Sequence, residues 1–228
     1  MIEVLGFCID RTEVTVGQYA AFLEAMSNLP DRGLSGQPSE CAGNEAFQPP
    51  YWWPANDIEV DAGKSKSEVD SMPVGIVDWC DARAFCAWAG KRLCGRMGGG
   101  RLTRKEGAGT TSEWYVACSH NGLNKFPYGN AFTDGACNGV DGRTREPVGS
   151  NPGCTGGYEG LVDMSGNVSE WIDACDVDAD GGLSCLTSGG TYNFPAQSLG
   201  CNGAQSKSTS DLFPQGGFRC CATPGASP

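Results

Sequence analysis

The residues with the most distinctive chemistry in this chain are thirteen cysteines and a single histidine, His120. No cysteine pair has the Cys-x-x-Cys spacing, so the ligand pattern of zinc-binding domains is absent. Cysteines scattered through a whole chain indicate disulfide bonds, which form in the periplasm, at the cell surface or in the medium. Because the count is odd, at least one thiol stays unpaired, pairs between molecules or binds a ligand.

Nucleophilic catalysis is a weaker interpretation of the same residues. Cys118 and Ser119 directly precede His120. Side chains that are adjacent in sequence rarely form a nucleophile–base pair, so we interpret His120 as a surface residue.

The charge balance argues against nucleic acid as a partner. Lys and Arg number 16 and Asp and Glu number 27, a net charge of −11, whereas binding to a phosphate backbone relies on basic side chains. Six of the basic residues fall within 91–105, around three glycines at 98–100, and we interpret this segment as a solvated basic loop. Neither P-loop nor dinucleotide-binding spacing is present there.

The length of 228 residues suffices for one domain, which we expect to span 1–222, with a tail or linker at 223–228. Glycine (34) and proline (13) together predict that much of the backbone forms turns and loops. No stretch approaches the roughly 18 to 20 consecutive apolar residues of a membrane span. Residues 1–5 are too short and too acidic for a signal peptide, so we expect a soluble chain.

Local signals predict two well-defined helices. Thr15, with Gln18 three residues later, forms a capping box at the start of an amphipathic segment. Asp78 can cap a second helix, which Gly90 ends.

The remaining chain shows weaker signals. A short third helix is expected over 112–118, capped by Thr111 or Ser112. The composition of residues 27–73 predicts a long surface loop, anchored by the aromatic residues at 51–53. Short strands are expected at 126–129, 146–149, 160–164, 169–171, 189–192 and 217–220.

Nine short blocks, in order along the chain, resemble the formylglycine-generating enzyme (sulfatase-modifying factor) family. They are residues 9–15 (IDRTEVT), 77–79 (VDW), 84–93 (AFCAWAGKRL), 112–114 (SEW), 126–129 (FPYG), 147–149 (PVG), 160–171 (GLVDMSGNVSEW), 188–191 (SGGT) and 217–220 (GFRC). The resemblance covers nearly the whole chain. It implies a single α+β domain with a C-type-lectin-like fold, rich in loops, poor in regular elements and held together by disulfides.

The resemblance also implies two calcium (Ca2+) sites. Calcium takes six to eight oxygen ligands, including the backbone carbonyls that a loop-rich chain leaves unpaired. The first site is implied at Ser165, Gly166, Asn167, Val168 and Glu170, through backbone oxygens and the Glu170 carboxylate. The second is implied at Asn138, Gly139, Asp141 and Arg143, the last by its backbone only. The alternative is that these Asp and Asn residues merely form turns.

Two disulfides carry over from the family, Cys86 with Cys220 and Cys118 with Cys201, the latter one position out of register. We add Cys137–Cys154 and Cys175–Cys185 as guesses at local bridges. The cysteines left unassigned are Cys8, Cys41, Cys80, Cys94 and Cys221.

The chain departs from the family at the implied catalytic centre. Family members oxidise a substrate cysteine to formylglycine with oxygen and a copper(I) ion held by two thiolates, the soft ligands that copper(I) prefers. Here Phe194 and Leu199 occupy the two cysteine positions, and Thr191 replaces the active-site serine, whereas Trp171 is kept. The usual catalytic pocket is therefore not encoded, and no catalytic residue is assigned.

These observations lead to a functional hypothesis. We expect a secreted, periplasmic or cell-surface binding module, stabilised by calcium and disulfides, that recognises a protein, peptide or glycan. The expected binding surface is Trp171, Thr191, Tyr192 and Phe194, together with the aromatic residues at 51–53, which alternatively pack the long loop onto the core. The rival hypothesis is a copper(I)-dependent oxidase with a displaced thiol pair, such as Cys201 with Cys221 or another free thiol.

Overall fold

The structure, a computed structural model, describes residues 1–50, 64–140, 142 and 144–225. Its regular elements in these ranges are short and lie between long irregular segments. The helices are α1 (Val16–Ser27), α2 (Lys66–Asp70), α3 (Trp79–Trp88) and α4 (Glu113–Ser119). The strands are β1 (Ile2–Val4), β2 (Phe7–Ile9), β3 (Arg92–Leu93), β4 (Thr155–Gly156), β5 (Tyr158–Val162), β6 (Ser169–Val177), β7 (Leu183–Ser188), β8 (Ala204–Ser208), β9 (Gly216–Phe218) and β10 (Cys220–Ala222).

The predicted helix starts are confirmed by their capping bonds. The Thr15 side chain accepts a hydrogen bond from Gln18 N, and both halves of the capping box are present. Asp78 Oδ1 accepts from Asp81 N at 2.8 Å at the start of α3. Ser112, rather than Thr111, caps α4.

An aromatic cluster joins α1 and α3 to the last part of the chain. The Tyr19 ring stacks on Phe85 at a centroid distance of 5.7 Å, and Phe85 meets Phe218 of β9 edge-on at 5.4 Å. All three side chains are buried, and the Tyr19 hydroxyl donates to Phe47 O at 2.7 Å. The helices therefore dock on the β9 region through edge and stacked ring contacts.

Within the described ranges, three small sheets form the β part of this α+β fold. One has the order β1-β2-β10-β3, the second pairs β4 with β5, and the third has the order β8-β7-β6-β9. In the third sheet β6 pairs antiparallel with β7 and parallel with β9. The sheets bring the two ends of the chain together, because β10 pairs with β2. No helix among the described residues is long and apolar enough to cross a membrane.

The strand predictions hold in some places and fail in others. Strands do form at 158–162, 169–177 and 216–222, the last interrupted at Arg219. Residues 126–129 instead form a turn closed by a bridge between Phe126 and Gly129. The segments 146–149 and 189–192 contain no strand.

Six disulfides cross-link the elements. The two bridges implied by the resemblance, Cys86–Cys220 and Cys118–Cys201, are present, as are the two guessed local ones, Cys137–Cys154 and Cys175–Cys185. Cys41–Cys80 and Cys94–Cys221 complete the set. Cys8 of β2 is the free cysteine of the described residues.

Candidate functional site

The centre of the molecule is a buried ion pair between Arg219 and Glu170. Arg219 lies in the break between β9 and β10, and Glu170 lies on β6; their exposed fractions are 0% and 1%. Arg219 Nε and Nη2 donate to the two carboxylate oxygens of Glu170, each at 2.7 Å. Trp114 Nε1 also donates to Glu170 Oε2 at 2.7 Å. The geometry is the two-pronged arginine–carboxylate pairing that satisfies both ions.

The same guanidinium ties three segments of backbone together. Nη1 donates to the carbonyls of Asp10 and Arg11 at 3.2 and 3.1 Å. Nη2 donates to the carbonyls of Val162 and Asp163 at 3.1 and 3.2 Å. Arg219 therefore holds the segment after β2 and the end of β5 against β6.

This ion pair gives Glu170 a role that the sequence did not predict. Both of its carboxylate oxygens accept from the Arg219 guanidinium. Calcium ligation by Glu170 stays a prediction. No group of three or more His, Cys, Asp or Glu side chains in the described part of the chain is arranged to hold a metal ion.

Asn167 and Asn138, one residue from each implied calcium site, meet in one hydrogen-bonded cluster. Asn167 Oδ1 accepts from Asn138 Nδ2 at 3.1 Å and from Glu146 N at 2.9 Å. Its Nδ2 donates to Glu13 Oε1 at 3.1 Å and to Glu146 O at 3.2 Å. Protein groups thus use both ends of the Asn167 amide.

Other members of those two sites have further contacts or lie outside the described residues. Ser165 Oγ donates to Leu199 O at 2.7 Å, and Gly166 N donates to Gly189 O at 2.9 Å. Val168 is buried, and Gly139 packs against the Leu199 side chain. Asp141 and Arg143 lie outside the described residues, so calcium binding stays a prediction.

Two further carboxyl groups, Glu13 and Asp163, are buried beside the ion pair. Glu13 is 1% exposed, and its Oε2 has no hydrogen-bond partner among the described residues if the carboxyl is ionised. Burial, followed by the nearby Asp163 charge, raises the pKa of Glu13 well above its usual value. Burial likewise raises the pKa of Asp163. Glu13 therefore carries a proton at a higher pH than an exposed glutamate does.

The expected binding surface is largely buried, which corrects that prediction. Trp171 is 0% exposed and donates from Nε1 to Val77 O at 2.9 Å, and its ring meets Phe213 edge-on at 5.7 Å. Thr191 and Tyr192 are also buried, at 1% and 5% exposed. Trp171 is buried because β6 is an inner strand, paired with β7 on one side and β9 on the other.

Phe194, in contrast to these three residues, lines a cavity. This cavity, here called the Phe194 cavity, has a volume of about 230 Å3 and is lined mainly by hydroxyl, amide and glycine residues. Thr187 of β7 lines it and is 0% exposed, yet its Oγ1 has no hydrogen-bond partner among the described residues. Leu199, the other position at which the family has a cysteine, is buried at 2% exposed. The aromatic residues at 51–53 lie outside the described residues.

The two cysteines named for the displaced copper pair are both in disulfides. Cys201 is bonded to Cys118 and Cys221 to Cys94, so neither is a thiol. Cys8 on β2 is the remaining free cysteine in the described ranges. A pair of thiolates for copper(I) therefore cannot form without first breaking a disulfide.

The basic segment at 91–105 is not a free solvated loop. Five of its six cations pair with carboxylates that lie outside the segment. The pairs are Lys91–Asp10, Arg92–Glu113, Arg96–Glu106, Arg101 with Glu40 and Asp173, and Arg104 with Asp176 and Asp178. The charge of this segment is thus largely neutralised within the molecule.

Sequence reasoning missed several residues of the candidate site. Thr187, Asn202 and Gln205 of the Phe194 cavity belong to no motif, so no sequence signal marks them. The GFRC block does contain Arg219, but the partner of its guanidinium could only be identified in three dimensions.

The fold and site define a disulfide-linked α+β domain built around a buried arginine, and comparison with known proteins gives its family. The model of the sulfatase-modifying factor enzyme 1-like domain matches residues 1–224, and the chain belongs to this family.

Individual relatives and structures agree with that assignment. The chain is 28% identical over 278 residues to a formylglycine-generating enzyme of Thermomonospora curvata, covering 98% of this chain and 84% of that protein. It is 33% identical over 185 residues to the inactive C-alpha-formylglycine-generating enzyme 2 of Bos taurus, covering 73% of this chain and 55% of the relative, so it matches about half of that protein's length. The crystal structure of CarF superposes with a TM-score of 0.63 at 22% identity, covering 95% of this chain and 86% of that one, which shows the shared fold.

Proposed function

We propose that this chain is a catalytically inactive member of the family that binds a neutral, polar ligand in the Phe194 cavity. The proposal rests on the side chains at this cavity, which include a buried hydroxyl without a hydrogen-bond partner among the described residues. Phe194 and Leu199 supply no thiolate where the family has its cysteines, and a buried Thr187 hydroxyl there lacks a partner. A hydroxyl that is desolvated without a hydrogen bond destabilises the protein, so a ligand that bonds to it gains affinity.

The lining indicates the chemistry of the ligand. Gln197, Asn202 and Gln205 place amide groups at the rim, and none of them forms a side-chain hydrogen bond with another described residue. No charged side chain is among the described lining residues. Amide and hydroxyl groups beside one aromatic ring suit a sugar hydroxyl or an uncharged polar side chain. A volume of about 230 Å3 is smaller than the ~300–1,000 Å3 of pockets for drug-sized ligands, so one such group enters.

The disulfides support an extracytoplasmic location for this module. Six bridges persist in an oxidising compartment and would be reduced in most cytosols. The net charge of −11 and the neutralised basic segment support a ligand other than nucleic acid. Secretion, the periplasm and the cell surface all fit this proposal.

Ligand screening tests the proposal. The oxidised protein is applied to glycan and peptide arrays, and hits are measured by calorimetry. Thr187→Val keeps the side-chain shape and removes the hydroxyl, so we expect at least about tenfold weaker binding, with Thr110→Val on the surface as the matched control. A ligand bound equally well by Thr187→Val contradicts the assigned cavity. Stoichiometric copper(I) binding with turnover of a cysteine-containing peptide contradicts the inactive assignment.

A further inference from the structure

A second and larger cavity lies at the other end of the β7–β8 hairpin. It has a volume of about 1050 Å3 and lies between residues 40–50, the start of α3, and residues 208–212. Ser208 and Leu183 line it at one end of β8 and β7, whereas Thr187 and Gln205 line the Phe194 cavity near the other. The two cavities share no lining residue, so ligands could be recognised independently in each.

The lining of this cavity, here called the α3 cavity, carries a strong excess of negative charge. Four carboxylates face one guanidinium, that of Arg101. Arg101 is already paired, since Nη2 bonds to Glu40 and Nε to Asp173, both at 2.8 Å. The carboxylates are Glu40, Glu45, Asp78 and Asp81.

Asp78 and Asp81 are buried without any cationic partner. They are 7% and 2% exposed. Asp81 accepts from Asn44 Nδ2 at 2.9 Å, and the two aspartates otherwise accept backbone N–H groups of their own capping box. No Lys, Arg or His of the described residues forms an ion pair with either. A buried carboxylate without a counter-charge is costly, and a bound cation would relieve that cost.

An independent observation at the same cavity points to a ligand. Thr209 lines it and is only 9% exposed, yet its hydroxyl makes no hydrogen bond with any described residue. The hydroxyl oxygen can accept a hydrogen bond from an N–H donor. The backbone carbonyl of Thr209 accepts a hydrogen bond from Trp79 N at 3.3 Å, which holds Thr209 beside the start of α3.

We propose that the α3 cavity binds an organic cation, an ammonium or guanidinium group on an aliphatic chain, with Asp78 as counter-charge and Thr209 as an additional acceptor. A metal ion fits less well, because no group of three or more His, Cys, Asp or Glu side chains in the described ranges is arranged to hold one. Val177 and Leu212, exposed at 70% and 45%, supply apolar surface at the rim for the aliphatic chain. The volume accommodates a free polyamine or a lysine- or arginine-bearing peptide.

Burial raises the pKa of Asp78 to about 6. Burial, followed by the Asp78 charge, also raises the pKa of Asp81 well above its usual value. The other charged groups that line the cavity are Glu40, Glu45 and Arg101. The two aspartates therefore take up protons as the pH falls from 7.5 to 5, so binding of a cation weakens.

Calorimetry on the full oxidised chain tests this proposal with two probes. Spermidine represents a free amine, and the peptide Ac-Ala-Arg-Ala-Lys-Ala-NH2 represents cationic side chains. A neutral peptide with citrulline and acetyl-lysine in the same places is the reference. We expect at least one cationic probe to bind at pH 7.5, and the neutral peptide to bind at least about tenfold more weakly. Which probe binds distinguishes the two sources of the cation.

Single substitutions test whether the cationic probe binds in the α3 cavity. Asp78→Asn removes the charge but keeps a good helix cap, so we expect at least about tenfold weaker binding with α3 intact by circular dichroism. Glu159→Gln, an exposed change of the same type, leaves affinity unchanged. Should Asp78→Asn not fold, Glu45→Gln at the exposed rim gives about two- to threefold weakening.

Four results would overturn the proposal. They are no binding of either cationic probe at millimolar concentration, equal binding of the neutral peptide, unchanged affinity in folded Asp78→Asn, and displacement of the probe by equimolar calcium. None of these results bears on the Phe194 cavity, which is tested with uncharged ligands and Thr187→Val.

Discussion

At the scale of single residues, one buried arginine accounts for much of the arrangement around the family motifs. Arg219 is 0% exposed and bonds to Glu170 and to four backbone carbonyls. A guanidinium can be buried in this way because every donor direction finds an oxygen. The GFRC and GNVSEW blocks are thus two halves of one interaction, although they lie 49 residues apart.

Substitution of Glu170 distinguishes its role in the ion pair from a role as a calcium ligand. Glu170→Gln leaves the buried Arg219 charge without its counter-ion, so we expect a loss of about 3–5 kcal/mol in the free energy of unfolding, roughly 10 °C in Tm. If the ion pair is the cause, the loss is equal in calcium and in chelator. A loss seen only in calcium would show that Glu170 is a calcium ligand. Chelation of the unmodified chain, measured alongside, reports whether any calcium site stabilises it.

Glu13 predicts a dependence of stability on pH. Its pKa is raised on folding by burial and then by Asp163, so the folded state favours the protonated form. The stability associated with that proton is present at low pH and is lost as the pH rises through the folded-state pKa. Glu13→Gln cannot ionise, and its amide can donate to Asp163, as the protonated Glu13 carboxyl can. We therefore expect its Tm to exceed that of the parent at pH 8, with a smaller difference at pH 5.

The control for this prediction is Glu24→Gln, on the exposed side of α1. Its Tm difference from the parent should not vary in the same way with pH. A difference for Glu13→Gln that is the same at both pH values would show that Glu13 is ionised in the folded protein throughout the range.

At the scale of elements, three helices could be predicted from the sequence, whereas strand β8 could not. The capping residues Thr15, Asp78 and Ser112 act within one turn, so the sequence contains the whole signal. The strand β8 reads AQSKS and forms because it pairs with β7 over five residue pairs, a contact that local sequence does not encode. The same reason applies to Trp171: its burial depends on which strands cover β6, and only the structure supplies them.

The contact between α4 and the β4–β5 region gives a test at this scale. Gly157 has φ +68°, and a Cβ there would overlap Ala117 O, near the end of α4. Gly157→Ala should therefore lower the free energy of unfolding by about 2–5 kcal/mol, through backbone strain and overlap. Gly181→Ala is the control, because its φ is +87° but nothing lies within 4 Å of the added atom. Chemical denaturation measures both, and equal losses would show that the contact is absent.

At the scale of the whole molecule, the disulfides join distant parts of a chain with little regular structure. Cys220 and Cys221 are adjacent, yet they bond to Cys86 and Cys94, with separations of 134 and 127 residues. Cross-links that close long loops restrict the unfolded chain, typically by about 2–4 kcal/mol each. The family resemblance predicted two of the six pairs and local guesses two more. Cys41–Cys80 and Cys94–Cys221 could not be predicted, because spacing alone does not select partners.

A non-reducing peptide map with alkylation of free thiols tests this framework and the inactive assignment together. In denatured, oxidised protein we expect one labelled cysteine, Cys8, because the other twelve are paired. Cys118–Cys201 and Cys94–Cys221 are the decisive peptides, since copper(I) ligation by Cys201 and Cys221 needs both bridges open. Labelling of Cys201 and Cys221 in stoichiometric amounts would support the oxidase hypothesis. Intact bridges would support the proposal of an inactive member, because neither cysteine would then offer a thiolate to copper(I).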